Sequence, residues 1–220
     1  MNNKSSQLVL SFGLITILSG CAAPVIDLEP VRPSEGMNFT IRDERPEDSR
    51  KLLANPCDVS PVTRLGDENF SPPRMQVLYS RLKEKLGERL DGREIAIQRF
   101  DTIVLRTKSC QVSSDQALAQ ALMALAVAVF MDPSFAAGAA AHAGASSEGE
   151  GDLVSCRIEG IINGYKFVGK SAVEAKEGPT DKWGIDGRYE EISSAVSQAI
   201  DMSIERIDEW LRVEPDPEKQ

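Results

Sequence analysis

Cys21 and the twenty residues ahead of it decide which part of this chain is left to fold. Lys4 gives a short positive start, Leu8 to Leu18 (LVLSFGLITIL) is apolar and uncharged, and Ser19 and Gly20 are small residues leading into Cys21. The apolar run has signal-peptide length and falls well short of the ~20 residues that an ordinary spanning helix needs. Residues 1–20 therefore read as a secretory signal peptide, and the fold has to be built from Cys21 onward.

Leu18-Ser19-Gly20-Cys21 resembles the bacterial lipobox. The resemblance implies diacylation of the Cys21 thiol, cleavage between Gly20 and Cys21, and acylation of the new N-terminus. Several acyl chains anchor stably where one is marginal. The next residue is Ala22, not the Asp associated with inner-membrane retention. The expected localisation is therefore the cell outer membrane, lipid-anchored and periplasm-facing, so the membrane is the first expected partner. With 25 Lys+Arg against 34 Asp+Glu the formal charge is −9, and no basic run is present. That balance argues against nucleic acid as a partner, because phosphate binding needs a concentrated basic footprint.

Residues 21–35, with Pro24, Pro30 and Pro33 and little periodicity, read as a tether. Met37, Phe39 and Ile41 then alternate with polar residues as a half-buried strand, which Asp43-Glu44-Arg45-Pro46 breaks. Val62 to Leu65 is a short strand inside an otherwise irregular stretch. A helix is expected after Ser71, with Pro72 and Pro73 at its mouth and Met75, Leu78, Tyr79, Leu82, Leu86 and Leu90 at helical spacing. Asp91-Gly92 turns the chain into a strand over Glu94 to Thr107. Arg99 and Asp101 interrupt the face of Ile95, Ile97, Ile103 and Leu105, which predicts a bulge or bend near Phe100. Leu153 to Val168 reads as one long strand with Gly160 and Gly164 as weak points, and Lys170 to Lys176 as a strand paired to it. A final helix over Arg188 to Arg212 has Tyr189, Ile192, Val196, Ala199, Ser203, Ile207 and Trp210 as its expected buried stripe, widened by Ala195, Ile200 and Leu211, and residues 213–220 are expected to form a disordered acidic tail. The fold class is α+β: a small mixed or antiparallel sheet with two helices on one face, forming a single domain over 36–212 with an Ala-rich helical insertion at 113–151.

With Cys21 lipidated, Cys57, Cys110 and Cys156 remain. An exported chain favours pairing, and an odd number leaves one over. Cys110 lies just past one strand and Cys156 just inside the next, so antiparallel pairing of those strands would bring the two sulfurs together at the base of the insertion. Cys110–Cys156 is the expected disulfide, with pairing to Cys57, or three buried thiols, as alternatives. Zinc would need a fourth ligand, and His142 is the one imidazole in the chain, so neither a metal nor another cofactor is expected.

Within the insertion, Ala117 to Met131 (ALAQALMALAVAVFM) is apolar but for Gln120. One reading buries it as a core helix. The other makes it a contact surface, through Leu118, Leu122, Leu125, Val129 and Phe130, for self-association or for shallow insertion in the bilayer. At 1.5 Å per residue it spans about 22 Å, too short for a lone crossing. His142 follows without a nearby acid or nucleophile.

Nucleotide-binding, nucleophile-elbow, zinc-protease and EF-hand patterns are missing. The candidates for carboxylate chemistry are Asp43 with Glu44, Asp67 with Glu68, and Asp101. Each is more economically a turn or surface residue, and Arg45 and Arg64 can instead fix the loops through carboxylates. No catalytic residue is therefore assigned.

The lipobox at Cys21, the strand running into Arg42-Asp43-Glu44-Arg45-Pro46, Arg64-Leu65-Gly66-Asp67 before Phe70-Ser71-Pro72, and the passage into Ile95-Ala96-Ile97 together resemble outer-membrane lipoproteins of the YajG type. The resemblance implies class and location and lends no activity. The combined expectation is a non-enzymatic, lipid-anchored module that binds another envelope component, most plainly a protein. The alternatives are a self-associating or membrane-inserting part of an envelope transport or secretion assembly, and a carboxylate-dependent envelope hydrolase.

Overall fold

The computed structural model describes residues 25–29, 39–54, 62–106, 152–175, 185 and 187–213. In chain order the strands are β1 (Ile26–Asp27), β2 (Thr40–Asp43), β3 (Leu53–Ala54), β4 (Val62–Leu65), β5 (Phe70–Ser71), β6 (Glu94–Leu105), β7 (Asp152–Ile162) and β8 (Tyr165–Ala175). The helices are α1 (Arg74–Leu86) and α2 (Tyr189–Val213). The main sheet runs β3-β4-β6-β7-β8, with β2 also paired to β6. Both helices pack on one face of this mixed sheet, and the fold is α+β.

Strand β6 organises the sheet. Strand β7 follows its whole length on one edge. The other edge is divided: β2 lies parallel along Glu94–Ile97, and β4 lies antiparallel along Thr102–Leu105. Between them the β6–β7 register shifts at Gln98. The expected bulge is real, and it does more than bend the strand. An extra residue reverses the alternation of faces, so Ile95 and Ile97 before it share the helix side with Phe100, Thr102 and Val104 after it. Ile103 and Leu105, expected beside Ile95 and Ile97, lie on the opposite face with Arg99 and Asp101.

The segment read as one strand from Leu153 to Val168 is a hairpin. Asn163 (φ 47°) and Gly164 (φ 82°) form its two-residue turn, and two positive φ values match the twist of the flanking strands. Gly160 is no weak point either. A Cβ there would meet the Phe167 ring at 2.5 Å, so the glycine seats that ring. At Gly169 a Cβ would fall 2.1 Å from Ser203 Oγ and 2.3 Å from the Ala199 carbonyl, which lets α2 cross β8 at backbone distance.

Helix α2 buries Ile192, Ala195, Val196, Ala199, Ile200, Ser203, Ile204 and Ile207, the middle of the stripe its spacing predicts with Ile204 added, whereas Tyr189 at its start is exposed and Trp210 and Leu211 at its end are half-buried. Glu190 and Glu191 occupy its first turn, where negative charge suits the macrodipole. Trp210 stacks on Tyr165 at 5.4 Å. Arg188 Nη2, just ahead of the helix, meets Asp152 Oδ2 at 2.6 Å, both side chains buried. Helix α1 buries Val77, Leu78, Leu82 and Leu86, and Leu90 joins the same core from the short 3-10 turn that follows.

The tether is shorter than the expected 21–35. Ile26 and Leu28 are buried in the core, and β1 pairs in parallel with β5, Ile26 opposite Phe70. The folded domain therefore begins at about Val25 rather than at residue 36. Among the described residues no helix is long and apolar enough to cross a membrane.

Candidate functional site

The divided edge of β6 leaves a gap between β2 and β4, and the chain fills it with charge. Asp43 ends β2 on the helix side. Pro46 stops the strand, and Arg45 folds back: its backbone N–H donates to Asp43 Oδ1 at 3.2 Å, its Nε to the same oxygen at 2.9 Å, and its Nη2 to Oδ2 at 2.9 Å. The guanidinium also reaches Asp67, with Nη1 to Oδ1 at 3.1 Å and Nη2 to Oδ2 at 2.8 Å. Asp67 follows Gly66, the residue that ends β4. A Cβ at Gly66 would meet the Leu52 nitrogen at 2.5 Å and the Arg50 carbonyl at 2.6 Å, so the two loops touch backbone to backbone.

Arg74 completes the centre from the first turn of α1. Its Nη2 donates to Asp67 Oδ1 at 2.7 Å and its Nη1 to Thr102 Oγ1 at 2.9 Å. Its guanidinium carbon lies 4.7 Å from the centre of the Phe70 ring and 4.9 Å from that of Phe100. A fully buried cation is thus held by one carboxylate, one hydroxyl and two ring faces. Arg74 carries an obvious cost, since a cation at a helix N-terminus opposes the macrodipole. That misplacement directly after Pro72-Pro73 was the sequence signal for it, and reading the segment only as a helix start missed it.

The electrostatics follow the contacts. Burial works to raise both carboxyls, and the arginines outweigh it. Arg45 hydrogen bonds and charge, with Arg50 behind, hold Asp43 below the usual carboxylate range. Arg45 and Arg74 together do the same for Asp67. Arg45 is driven up despite its burial by the two carboxylates it bridges, whereas burial pulls Arg74 down against Asp67. The chain Asp43–Arg45–Asp67–Arg74 matches two carboxylates to two guanidinium groups and leaves no carboxylate oxygen without a donor, with Arg50 a further cation 3.6 Å from Asp43. It can fasten loops, and it presents neither a raised acid nor a free base.

The other candidate carboxylates are scattered. Glu44 pairs with Arg42 at 2.7 Å, and Glu68 accepts the Leu52 N–H at 2.8 Å. Arg64 Nη2 donates to the Asp48 carbonyl at 2.7 Å, so it fixes backbone rather than a carboxylate. Asp101, carried by the parity shift at Gln98, sits on the sheet face away from the helices. It is 4% exposed, its Oδ1 has no hydrogen-bond partner, and its Oδ2 lies 3.4 Å from Arg99 Nε. Burial raises its pKa, against the opposing charges of Arg99, Arg64 and Arg74. Beside it Arg99 Nη1 and Arg157 Nε lie 3.0 and 2.5 Å from Glu159 Oε1.

Cys156 is a free thiol, so the disulfide expected with Cys110 is not formed. The cause is the face it occupies. Val154, Cys156 and Ile158 alternate into the helix-side core, where Cys156 Sγ accepts from Thr102 Oγ1 at 3.6 Å. Burial pushes the thiol up to about 11. Cys21, Cys57, Cys110, His142 and the insertion residues Leu118, Leu122, Leu125, Val129 and Phe130 lie outside the described residues. Among the described residues no group of three or more His, Cys, Asp or Glu converges as a metal site.

A groove of about 630 Å³ opens between β1 and the start of α2, lined among others by Val25, Asp27, Tyr189, Glu190, Ser193 and Ser197. Comparison with known protein families, with curated proteins and with solved structures finds no match to this chain.

Proposed function

We propose that the chain is a non-enzymatic, lipid-anchored module of the cell envelope, held at the outer membrane through Cys21, that binds another envelope component on the periplasmic side. The observation that carries the non-enzymatic part is the closure of the centre at Asp43, Arg45, Asp67 and Arg74. The two carboxylates brought together there are consumed by bidentate arginine contacts and held below their ordinary range. A hydrolase of the carboxylate type needs the reverse, one acid raised and one base free. The anchoring part rests on the run from Lys4 to Cys21, and the resemblance to YajG-type lipoproteins points the same way.

The test is purification of the full lipoprotein in mild detergent after crosslinking in cells, beside a chain in which 114–150 are replaced by a short Gly-Ser linker. A single envelope protein, identified by mass spectrometry and recovered in near-equal amount, is the expected result. Its loss from a folded, shortened chain would place the contact on the insertion. Absence of any such partner, together with a hydrolytic activity that Asp101→Asn abolishes without lowering thermal stability, would overturn the reading.

A further inference from the structure

We propose that the β1 end of the domain rests on the lipid surface, with the groove between β1 and the start of α2 facing the headgroups and the C-terminal end of α2 pointing away. The inference rests on lipid anchoring at Cys21 and adds an orientation to it. Its basis is the length of chain between the anchor and the fold. Ile26 is fully buried and paired with Phe70, so the first fixed point of the domain comes five residues after Cys21. At no more than about 3.6 Å per residue, the acylated Cys can lie no further than about 18 Å from that point. A folded domain of this size is roughly twice that across. The anchor therefore holds one end of the molecule close to the bilayer.

The surface at that end suits the position. Val25 is 54% exposed and Tyr189 37% exposed, and both line the groove. An aliphatic residue and an aromatic ring with a polar tip are the side chains that settle at a membrane–water interface. Asp27 and Glu190 stand in the same groove. Their charge repels anionic headgroups and complements the ammonium of zwitterionic ones, so the partner is a zwitterionic lipid surface. From Ser194 to Arg212 α2 rises about 27 Å, which carries Trp210 and the Asn163-Gly164 turn clear of the headgroups.

The experiment uses the full acylated chain with Cys57→Ser and Cys110→Ser, a fluorescent label at Ser194→Cys or at Arg212→Cys, and vesicles of phosphatidylcholine and phosphatidylethanolamine carrying a headgroup-linked quencher. The label at position 194 is expected to be quenched at least about threefold more than that at 212, given their separation along the helix. A linker of ten Gly and Ser residues inserted after Pro24 is expected to bring the two values together. Replacing the bulk lipid with phosphatidylglycerol is expected to lower the ratio. Equal quenching at the two positions in the acylated chain overturns the orientation alone, and a ratio that rises in phosphatidylglycerol overturns the choice of lipid. An N-terminal peptide whose mass shows no acyl groups overturns the anchor, and the orientation with it.

Discussion

Two charged clusters lie on opposite faces of the sheet, one touching β6 at Thr102 and the other carried on it at Arg99 and Asp101. On the helix side Arg45 and Arg74 close over Asp43 and Asp67, all four carboxylate oxygens accept from a guanidinium, and two aromatic rings cover Arg74, whose Nε alone in the cluster lacks a hydrogen-bond partner. On the other face Arg99, Arg157, Asp101 and Glu159 use the same residue types, yet one buried carboxylate oxygen has no donor. The difference lies in geometry rather than composition. Planar forks meeting carboxylates edge to edge satisfy several groups at once, and a strand face offers side chains in parallel rows that cannot all turn toward one another. The first cluster is a fastening between loops, and the second is a row of half-made contacts.

Removing the best-held cation tests that contrast most severely. Arg74→Met leaves Asp67 with Arg45 as its one arginine and the buried Thr102 hydroxyl without its donor, and the loss is expected to reach about 3–5 kcal/mol by denaturant unfolding. Arg74→Lys should recover little of it, because an ammonium can neither lie flat between Phe70 and Phe100 nor reach Asp67 and Thr102 as a fork. A loss below about 1 kcal/mol for Arg74→Met would put the helix-side cluster in the same class as a surface pair.

Asp67→Asn comes next, at about 2–3 kcal/mol, and it carries a signature in acid. Asp43 and Asp67 have folded values below their unfolded ones. The stability they confer is complete above about pH 4–5 and is lost as pH falls through the lowered values. The variant's stability should therefore decline less steeply below about pH 4 than that of the parent chain.

On the face away from the helices Glu159→Gln is expected to cost less than about 1 kcal/mol, because its contact with Arg99 is partly exposed. Asp101→Asn gives the smallest effect and reverses the sign. With its folded value raised, the Asp101 carboxylate opposes folding above that value and ceases to as pH falls through it. The amide should gain stability at neutral pH, by no more than about 1 kcal/mol, and the gain should shrink on acidification. A clear loss at neutral pH would show that the contact with Arg99 outweighs the stranded oxygen.

The two clusters also differ in how far the sequence announces them. Val62–Leu65, α1 and α2 follow from local spacing, since strand and helix periods are written in a dozen residues or fewer. The hairpin is equally local, because Asn163-Gly164 between alternating apolar residues is a strong turn signal, one that a reading of Gly164 as a mere weak point of a longer strand passes over. Arg45 could be nominated as a loop fastener because its carboxylate neighbours lie close in sequence. Arg74 joining Asp67 and Thr102 could not, because it depends on which loops the divided edge of β6 brings together. Plain alternation along β6 puts Asp101, Ile103 and Leu105 on the face of Ile95 and Ile97, and the extra residue at Gln98 turns all three to the other side, a consequence that the bulge carries along the rest of the strand. Proximity to the insertion points to Cys156 as a disulfide partner, whereas its alternation with Val154 and Ile158 turns it inward.

Leu105 and Leu153 face each other as register partners at the ends of β6 and β7, and everything between them leaves and re-enters the sheet through that one doorway. Antiparallel neighbours stand only about 5 Å apart, a gap that a turn of a few residues can bridge. The register of β6 on β7 is therefore set along the strands themselves, by ten paired positions from Ile95 opposite Ile162 to Leu105 opposite Leu153. Beside the doorway, the Asp152–Arg188 clasp bolts its frame to the final helix.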